Sequence, residues 1–566
     1  MKGSLQRYLW GIIAVALVVL INLIAGLYHF KIDLTEEKRY TLTPATINLL
    51  ARVENPVLID ITLEREFPAG FRRLQLAVRE ILEEFQSINR NISFRFTDPL
   101  AGNPEEVNAK LEEWAQVGIV PTELNVRESD GQTRRRIYPF AIFNYADRQI
   151  AINLLESNMA GITPEMALNN SVSLLEYKLS NAIAKLRTTH KPNILFTEGH
   201  GELTSLQTAS LEGNLRAFYN TGSINLDSIY EIPDDISMLI IAKPTLPFSE
   251  KDLFKIDQFV MHGGNVIFLI DPLVVSLDSI GKNGQYVPFD NNVGFEQMFF
   301  KYGFKVNSNL VLDLECGTIP LTLGDQRSNN TPRLVSWYYH PLVSGTPDHP
   351  IVKGLDRIHM QFPASIDTVK TRERVMKTPL LTSSPYSRLQ YSPVILDFEI
   401  LKLEPDPDKF DQGPQTVALL LEGTFNSLYE NRVSQDMAET LDQIGTSFMP
   451  LSNPAKILVV SDGDIAKNLV NPTNGAIRPL GYNQYMNYTF DNQDFLTNAI
   501  EYMLDKEGLI EARARNIKLR LLDKPRIAEE RLYWQVLNVV LPLLLLGAFG
   551  LFFHFRRKRK YARFAA

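Results

Sequence analysis

The chain has 566 residues, too many for one core, and its apolar (45%) and charged (22%) fractions are those of an ordinary globular protein. A single cysteine, Cys316, excludes an intramolecular disulfide, a CxxC redox pair and a cysteine-based zinc site. The net charge is −7 although the two tails carry eight cations, so the body between them is acidic and points away from nucleic acid as a partner.

Residues 8–30 (YLWGIIAVALVVLINLIAGLYHF) carry no charge and are long enough to cross the ~30 Å core of a bilayer as a helix. No small-residue cleavage pattern follows, so this run predicts an anchor rather than a signal peptide. Residues 532–555 (LYWQVLNVVLPLLLLGAFGLFFHF) predict a second anchor. Lys2 and Arg7 precede the first; Arg556, Arg557, Lys558, Arg559, Lys560 and Arg563 follow the second. Cations on those sides place both termini in the cytoplasm and the body outside the inner membrane, in the periplasm.

Between the anchors, a strand over 57–63, a helix over 71–88, a strand over 92–97, a helix over 104–117 and a hairpin over 123–145 about Asp130-Gly131 are expected. This β-α-β-α-β-β order resembles a thioredoxin-like domain. The stretch after its first strand, Glu64-Arg65-Glu66-Phe67-Pro68, has no cysteine, which excludes dithiol chemistry.

A helical connector over 162–187 leads to a second α/β unit. Strands are expected at 194–196, 228–232, 238–242 and 266–270, with helices at 205–219 and 249–262 between them. Residues 280–450 are rich in loops, and KILVV at 456–460 returns to a buried strand, followed by a helix over 492–504. Apolar strands alternating with helices predict a doubly wound parallel sheet. The expected organisation is 1–30 tail and first anchor, 31–160 thioredoxin-like domain, 161–190 connector, 191–510 α/β domain with an insertion at about 280–450, 511–531 linker, 532–555 second anchor and 556–566 basic tail.

Ligands of such sheets sit beyond the C-terminal ends of the strands. Glu198, Gly199, His200, Gly201 and Glu202 fall there, as does Asp271, and these six are the candidate ligand-binding residues. The glycine amides suit an anion and His200 a general base. No serine or cysteine occupies a strand-to-helix elbow, no second histidine has metal-ligand spacing to His200, and no HExxH occurs. The expectation is therefore a degenerate site with no catalytic residue, metal or cofactor. A periplasmic hydrolase or amidotransferase-like enzyme, or a solute-binding domain, using the same turn is the alternative. Asp462-Gly463-Asp464 reads as strand-end turn capping before it reads as a cation site.

GHGE (199–202), IDQFVMHGGNVIFLIDP (256–272), LLEGTF (420–425), KILVVSDGDI (456–465) and NQDFLTNAIEYML (492–504) occur in this order between the anchors. In that order the chain resembles GldG, the gliding-motility-associated accessory subunit family of ABC transporters. The resemblance implies a multi-span GldF-like permease and a cytoplasmic GldA-like ATPase as partners. It implies a degenerate glutamine-amidotransferase-like sheet domain, no molecular activity of the chain itself, and a role in bacterial gliding motility. The chain has no GxxxxGK[ST], so it is not itself the ATPase, and two spans do not make a pore.

Overall fold

The computed structural model describes residues 13, 16, 17, 19, 20, 41–65, 67, 69–116, 119–128, 131–155, 164–188, 190–321, 333–346, 349–401, 405–434, 436, 437, 439, 441, 447–505, 507–514 and 524–561. Residues up to Asn516 form one compact unit, and residues from Ile517 form a second.

Thr43 caps a short helix α1 (Pro44–Ala51), and a four-stranded sheet follows. Its strands are β1 (Val57–Ile61), β2 (Ile92–Phe96), β5 (Phe140–Tyr145) and β6 (Arg148–Asn153), in the order β2-β1-β5-β6. β1 and β2 run parallel, and the other neighbours are antiparallel. Helix α2 (Ala69–Ile88) crosses from β1 to β2 and buries Leu74, Val78, Leu82 and Phe85 against Val57, Ile59 and Ile61. Helix α3 (Pro104–Gln116) follows β2. The expected long hairpin is two devices. β3 (Thr122–Glu128) and β4 (Gly131–Ile137) pair only with each other, and β5 belongs to the main sheet. Pro139 separates them: it has no N–H for a ladder, so the strand ends at Ile137 and Phe140 starts anew beside β1.

The connector is helix α4 (Pro164–Arg187), which packs Leu175, Leu179 and Ile183 into this first core. Its Tyr177 hydroxyl and Lys185 ammonium make close contacts to the half-buried carboxylate of Glu501. Burial would raise the pKa of Glu501, but Lys185 outweighs it and holds the carboxyl below its usual range.

The larger sheet has ten strands. Its parallel part is β17 (Ala455–Val460), β10 (Asn265–Leu269), β9 (Ile236–Ala242), β7 (Asn193–Glu198) and β8 (Asn220–Asn225), in that order. Alternate residues feed two cores. Ile240, Ile267 and Leu458 face α5 (Ser205–Leu215) and α9 (Asn492–Leu504). Leu239, Phe268 and Val459 face α6 (Glu250–Met261) and α8 (Glu296–Tyr302). A third helix, α7 (Leu277–Asn283), lies between α6 and α8 in the chain. A sheet buried on both faces explains why these strands are apolar runs rather than alternating ones.

Two expectations are corrected. The strand before β9 is not 228–232 but β8, whose sequence NTGSIN is polar because it is the sheet edge. The sheet is mixed rather than purely parallel. β16 (Thr416–Gly423) runs antiparallel to β17, with Leu420 opposite Leu458. β14 (Val375–Thr382), β13 (Arg333–Gly345) and β12 (Cys316–Leu321) extend it further, each antiparallel to its neighbour. The loop-rich stretch thus supplies a wing of the same sheet. An antiparallel pair, β11 (Asn309–Asp313) with β15 (Ser387–Tyr391), packs on that wing through Leu310 and Leu312.

The chain leaves the sheet through a 3-10 turn, Leu509–Ala514. It packs Leu509 in the first core and Ile510 and Ala512 on Tyr177. In the second unit, α10 (Lys524–Tyr561) continues through Pro542. Its segment Glu530–Lys560 is long and apolar enough to cross a membrane, with a mean hydropathy of 2.4 over an 18-residue stretch, and Leu545, Phe549 and Phe552 are exposed. The expected first anchor, 8–30, lies outside the described residues except at five positions, all helical.

Candidate functional site

The C-terminal ends of the five parallel strands form a crest that carries every sequence-predicted site residue. At the end of β7, Glu198 is exposed. The next turn depends on two glycines with left-handed backbone: φ is +114° at Gly199 and +73° at Gly201. A Cβ on Gly201 would lie 2.1 Å from Thr245 Oγ1. The turn is bound to the loop after β9, because the His200 carbonyl accepts from the Thr245 and Leu246 amides, both at 2.9 Å. Thr204 then opens α5 through a reciprocal capping pair with Gln207.

His200 is folded inward and is 5% exposed. Its ring stacks on Phe248, with centroids 3.8 Å apart and planes 10° from parallel. Glu202 Oε2 accepts from the His200 amide at 2.6 Å. The ring nitrogens have no hydrogen bond: Nδ1 stands 3.7 Å from Glu202 Oε1 and Nε2 stands 3.6 Å from Asp252 Oδ2. Nδ1 and Glu202 Oε1 are both buried without a partner.

Asp252 reaches the site from the first turn of α6, where Ser249 is the cap. Ser249 Oγ donates to Oδ2 at 2.6 Å and Lys255 Nζ to Oδ1 at 2.9 Å. Burial would raise the Asp252 pKa, but the Ser249 hydroxyl and the Lys255 ammonium hold it below the usual value. Asp227, in the 3-10 turn after β8, is exposed on the other side. One ligand atom each from His200, Asp227 and Asp252 lie within 4.8 Å of one another. No spacing rule joins these three residues; only the side-by-side ends of β7 and β8 and the N-terminus of α6 do. Asp227 carried no signal beyond its place after an edge strand.

Asp271, at the end of β10, belongs to a different cluster. Its Oδ2 lies 3.2 Å from Lys243 Nζ, and its Oδ1 accepts from the Gly463 amide at 2.5 Å. It bonds to no residue of the 199–202 turn, so the structure separates it from the other five candidates. Lys243 has φ +55° and also contacts Asp464 closely. Burial works against its ammonium, but Asp271 and Asp464 outweigh it and raise its pKa. Asp462 caps the turn by accepting from the Asp464 amide at 2.8 Å and takes the Gln361 amide at 2.7 Å. Burial first, then Asp271, pushes its carboxyl well above the usual range. Burial would raise Asp464 too, but Lys243 and Lys467 hold it low. Asp462 and Asp464 therefore serve as turn cap and lysine partner.

Cys316 sits in β12, in the antiparallel wing. Burial and then Asp313 push its thiol up to about 12, so it is protonated and a poor nucleophile at neutral pH.

The crest lies within a stretch that has relatives. A family model described as "ABC-type uncharacterized transport system" matches residues 191–499, more than half of the chain. The chain belongs to this auxiliary family of ABC-type transport systems. A second model, a domain of unknown function, matches residues 36–144 of the auxiliary protein, which hold the four-stranded sheet up to β5. An uncharacterized protein of Borreliella burgdorferi (strain ATCC 35210 / DSM 4680 / CIP 102532 / B31) is 21% identical over 550 residues, covering 94% of each chain. Among solved structures, the mmIFT52 N-terminal domain is 12% identical with a TM-score of 0.29, covering 55% of this chain and 96% of that one. The exo-beta-1,4-mannosidase Op5Man5 from Opitutaceae bacterium strain TAV5 is 9% identical with a TM-score of 0.22, covering 83% and 55%. Scores this low carry no functional meaning. For an auxiliary family protein, the notable point is that Glu198 to Glu202, Asp227, Asp252, Asp271 and Asp462 to Asp464 all fall inside the family match.

Proposed function

We propose that this chain is a non-catalytic, membrane-anchored accessory subunit of an ABC transporter, of the GldG type, acting in gliding motility. Both termini are cytoplasmic, and the sheets lie in the periplasm. A GldF-like multi-span permease receives the two anchors, and a GldA-like ATPase works on the cytoplasmic side. The ten-stranded sheet presents the crest, with Glu198, Gly199, His200, Gly201 and Glu202 and, in the neighbouring cluster, Asp271, to an extracytoplasmic ligand or partner.

The observation that carries this reading is α10. An auxiliary protein of a transport family ends in a helix whose apolar side chains are covered by nothing of its own unit. Such a helix is covered by lipid and by other helices, and Gly547 and Gly550 are small residues of the kind that allow close helix approach. The strand order β2-β1-β5-β6 supports a thioredoxin-like first domain. Without cysteines, that domain serves as a docking module. The crest has no nucleophile on an elbow, which supports a degenerate amidotransferase-like sheet that binds rather than cuts.

The test is purification of the full chain from native membranes in mild detergent. A multi-span protein and a nucleotide-binding subunit are expected to come with it in stoichiometric amount. A chain that emerges alone, folded and in good yield, overturns the reading.

A further inference from the structure

The His200 end of the crest holds polar atoms that the fold leaves unused. His200 and Asp252 are both more than nine-tenths buried, yet neither ring nitrogen of His200 is hydrogen-bonded, and Glu202 Oε1 is buried with no partner. Nδ1 and the Glu202 Oε1 that faces it cost stability, because burial has removed their water and no hydrogen bond has replaced it.

We propose that His200, Asp252 and Asp227 form a binding site for a first-row transition dication, with Zn2+ as the best fit. This rests on reading the crest as the ligand end of an auxiliary subunit and gives that ligand a chemistry. Three features support it. The Nε2 to Oδ2 separation of 3.6 Å is close to the roughly 3.3 Å edge of a tetrahedral site with Zn–N and Zn–O bonds of about 2.0–2.2 Å. An imidazole nitrogen beside carboxylates favours zinc over magnesium or calcium. Glu202 Oε1 faces the far ring nitrogen at 3.7 Å, which sets a carboxylate towards Nδ1 and leaves Nε2 to the metal.

Charge agrees. Asp227, Asp252 and Glu202 bring three negative charges and Lys255 one positive, so a dication closes the balance. Phe248, stacked on the ring, holds the imidazole in place. Asp227 is the exposed ligand, so metal enters from its side and a fourth position there is open to water or to a donor from a partner.

The experiment uses the full chain in detergent, stripped with a chelator, then titrated with Zn2+ and separately with Mn2+. Bound metal is measured by mass spectrometry and the melting temperature is followed. Wild type is expected to bind one Zn2+ per chain and to melt higher when loaded. Asp227→Asn, which removes the charge of an exposed side chain, is expected to weaken Zn2+ at least tenfold without moving the metal-free melting temperature. His200→Gln is expected to abolish binding. Absence of stoichiometric Zn2+ and Mn2+ on wild type, or undiminished binding by Asp227→Asn, overturns the site. The same preparations are assayed for the co-purifying permease. Its presence on a chain that takes no metal refutes the cation alone, whereas its absence from wild type refutes the subunit reading.

Discussion

Two carboxylate clusters stand on the same crest, at neighbouring strand ends, and they are resolved in opposite ways. At β9, β10 and β17, Lys243 joins Asp271 and Asp464, backbone amides of Gly463 and Gln361 fill other oxygens, and Lys467 completes the set. At β7, β8 and α6, His200 faces Glu202 and Asp252 without a hydrogen bond from its ring. The first cluster is a lock that ties three strand ends together. The second is an arrangement held from outside, by glycine geometry, Phe248 stacking and the Ser249 cap, around atoms that the fold does not satisfy. In the first cluster lysines stand against the carboxylates, with Lys467 Nζ 3.2 Å from Asp464 Oδ1; in the second no cation among the described residues faces the ring, and Nδ1 of His200 and Oε1 of Glu202 are buried without a hydrogen-bond partner.

Substitution is the strongest way to break this contrast. Lys243→Ala leaves Asp271 without its cation and Asp464 with Lys467 alone, and should cost about 3–5 kcal/mol. His200→Ala removes a ring that bonds nothing and should cost only about 1–2 kcal/mol, mostly lost stacking on Phe248. Chemical denaturation of the metal-free full chain measures both, and equal costs would erase the distinction.

A backbone test sharpens it. Gly201→Ala places a Cβ against Thr245 Oγ1 in a left-handed conformation and should cost about 1–3 kcal/mol. Gly213→Ala, inside α5 with nothing within 4 Å of the new Cβ, should stabilise by up to about 1 kcal/mol. Thermal melts of the two variants against wild type check the signs.

Acid titration separates the clusters further. The folded pKa of Asp252 lies below its unfolded value of 3.8, so its contribution is present above that value and is lost as pH falls below it. In the lock, Asp464 behaves the same way, but Asp271 and Asp462 have raised values and are relieved by protonation as pH falls towards them, which opposes the loss. Asp252→Asn should therefore flatten the acid limb of the stability curve below about pH 4 more than Asp271→Asn does, as read from melting temperature against pH. The smallest effect belongs to Glu198→Gln, an exposed change expected within about 0.5 kcal/mol of wild type.

The contrast also marks what the sequence makes legible. Ile240, Phe268 and Val459 sit in unbroken apolar runs, and a sheet covered on both faces writes such runs directly. Ser249 announces α6, and Glu198 to Glu202 announce a strand-end turn. The edge strand β8 is polar and hides among loops, and the direction of β16 depends on a partner strand more than thirty residues away. The grouping of His200 with Asp227 and Asp252 is a product of neighbouring strand ends and one helix cap, so no local pattern contains it. Asp271, which the sequence places beside the turn by strand-end logic, instead finds Lys243, because β9 and its loop stand between β7 and β10.

The central claim is that the crest works outside the membrane on an auxiliary subunit held from the cytoplasmic side. It is tested most directly by labelling introduced cysteines with an impermeant reagent, in cells with a permeabilised outer membrane and Cys316 replaced by serine. Tyr230, 99% exposed a few residues beyond Asp227, reports the sheet domain, and Ala566 reports the basic tail. The account predicts labelling of Tyr230→Cys and protection of Ala566→Cys until the inner membrane is broken. Protection of Tyr230→Cys, or labelling of Ala566→Cys in intact inner membranes, would contradict it.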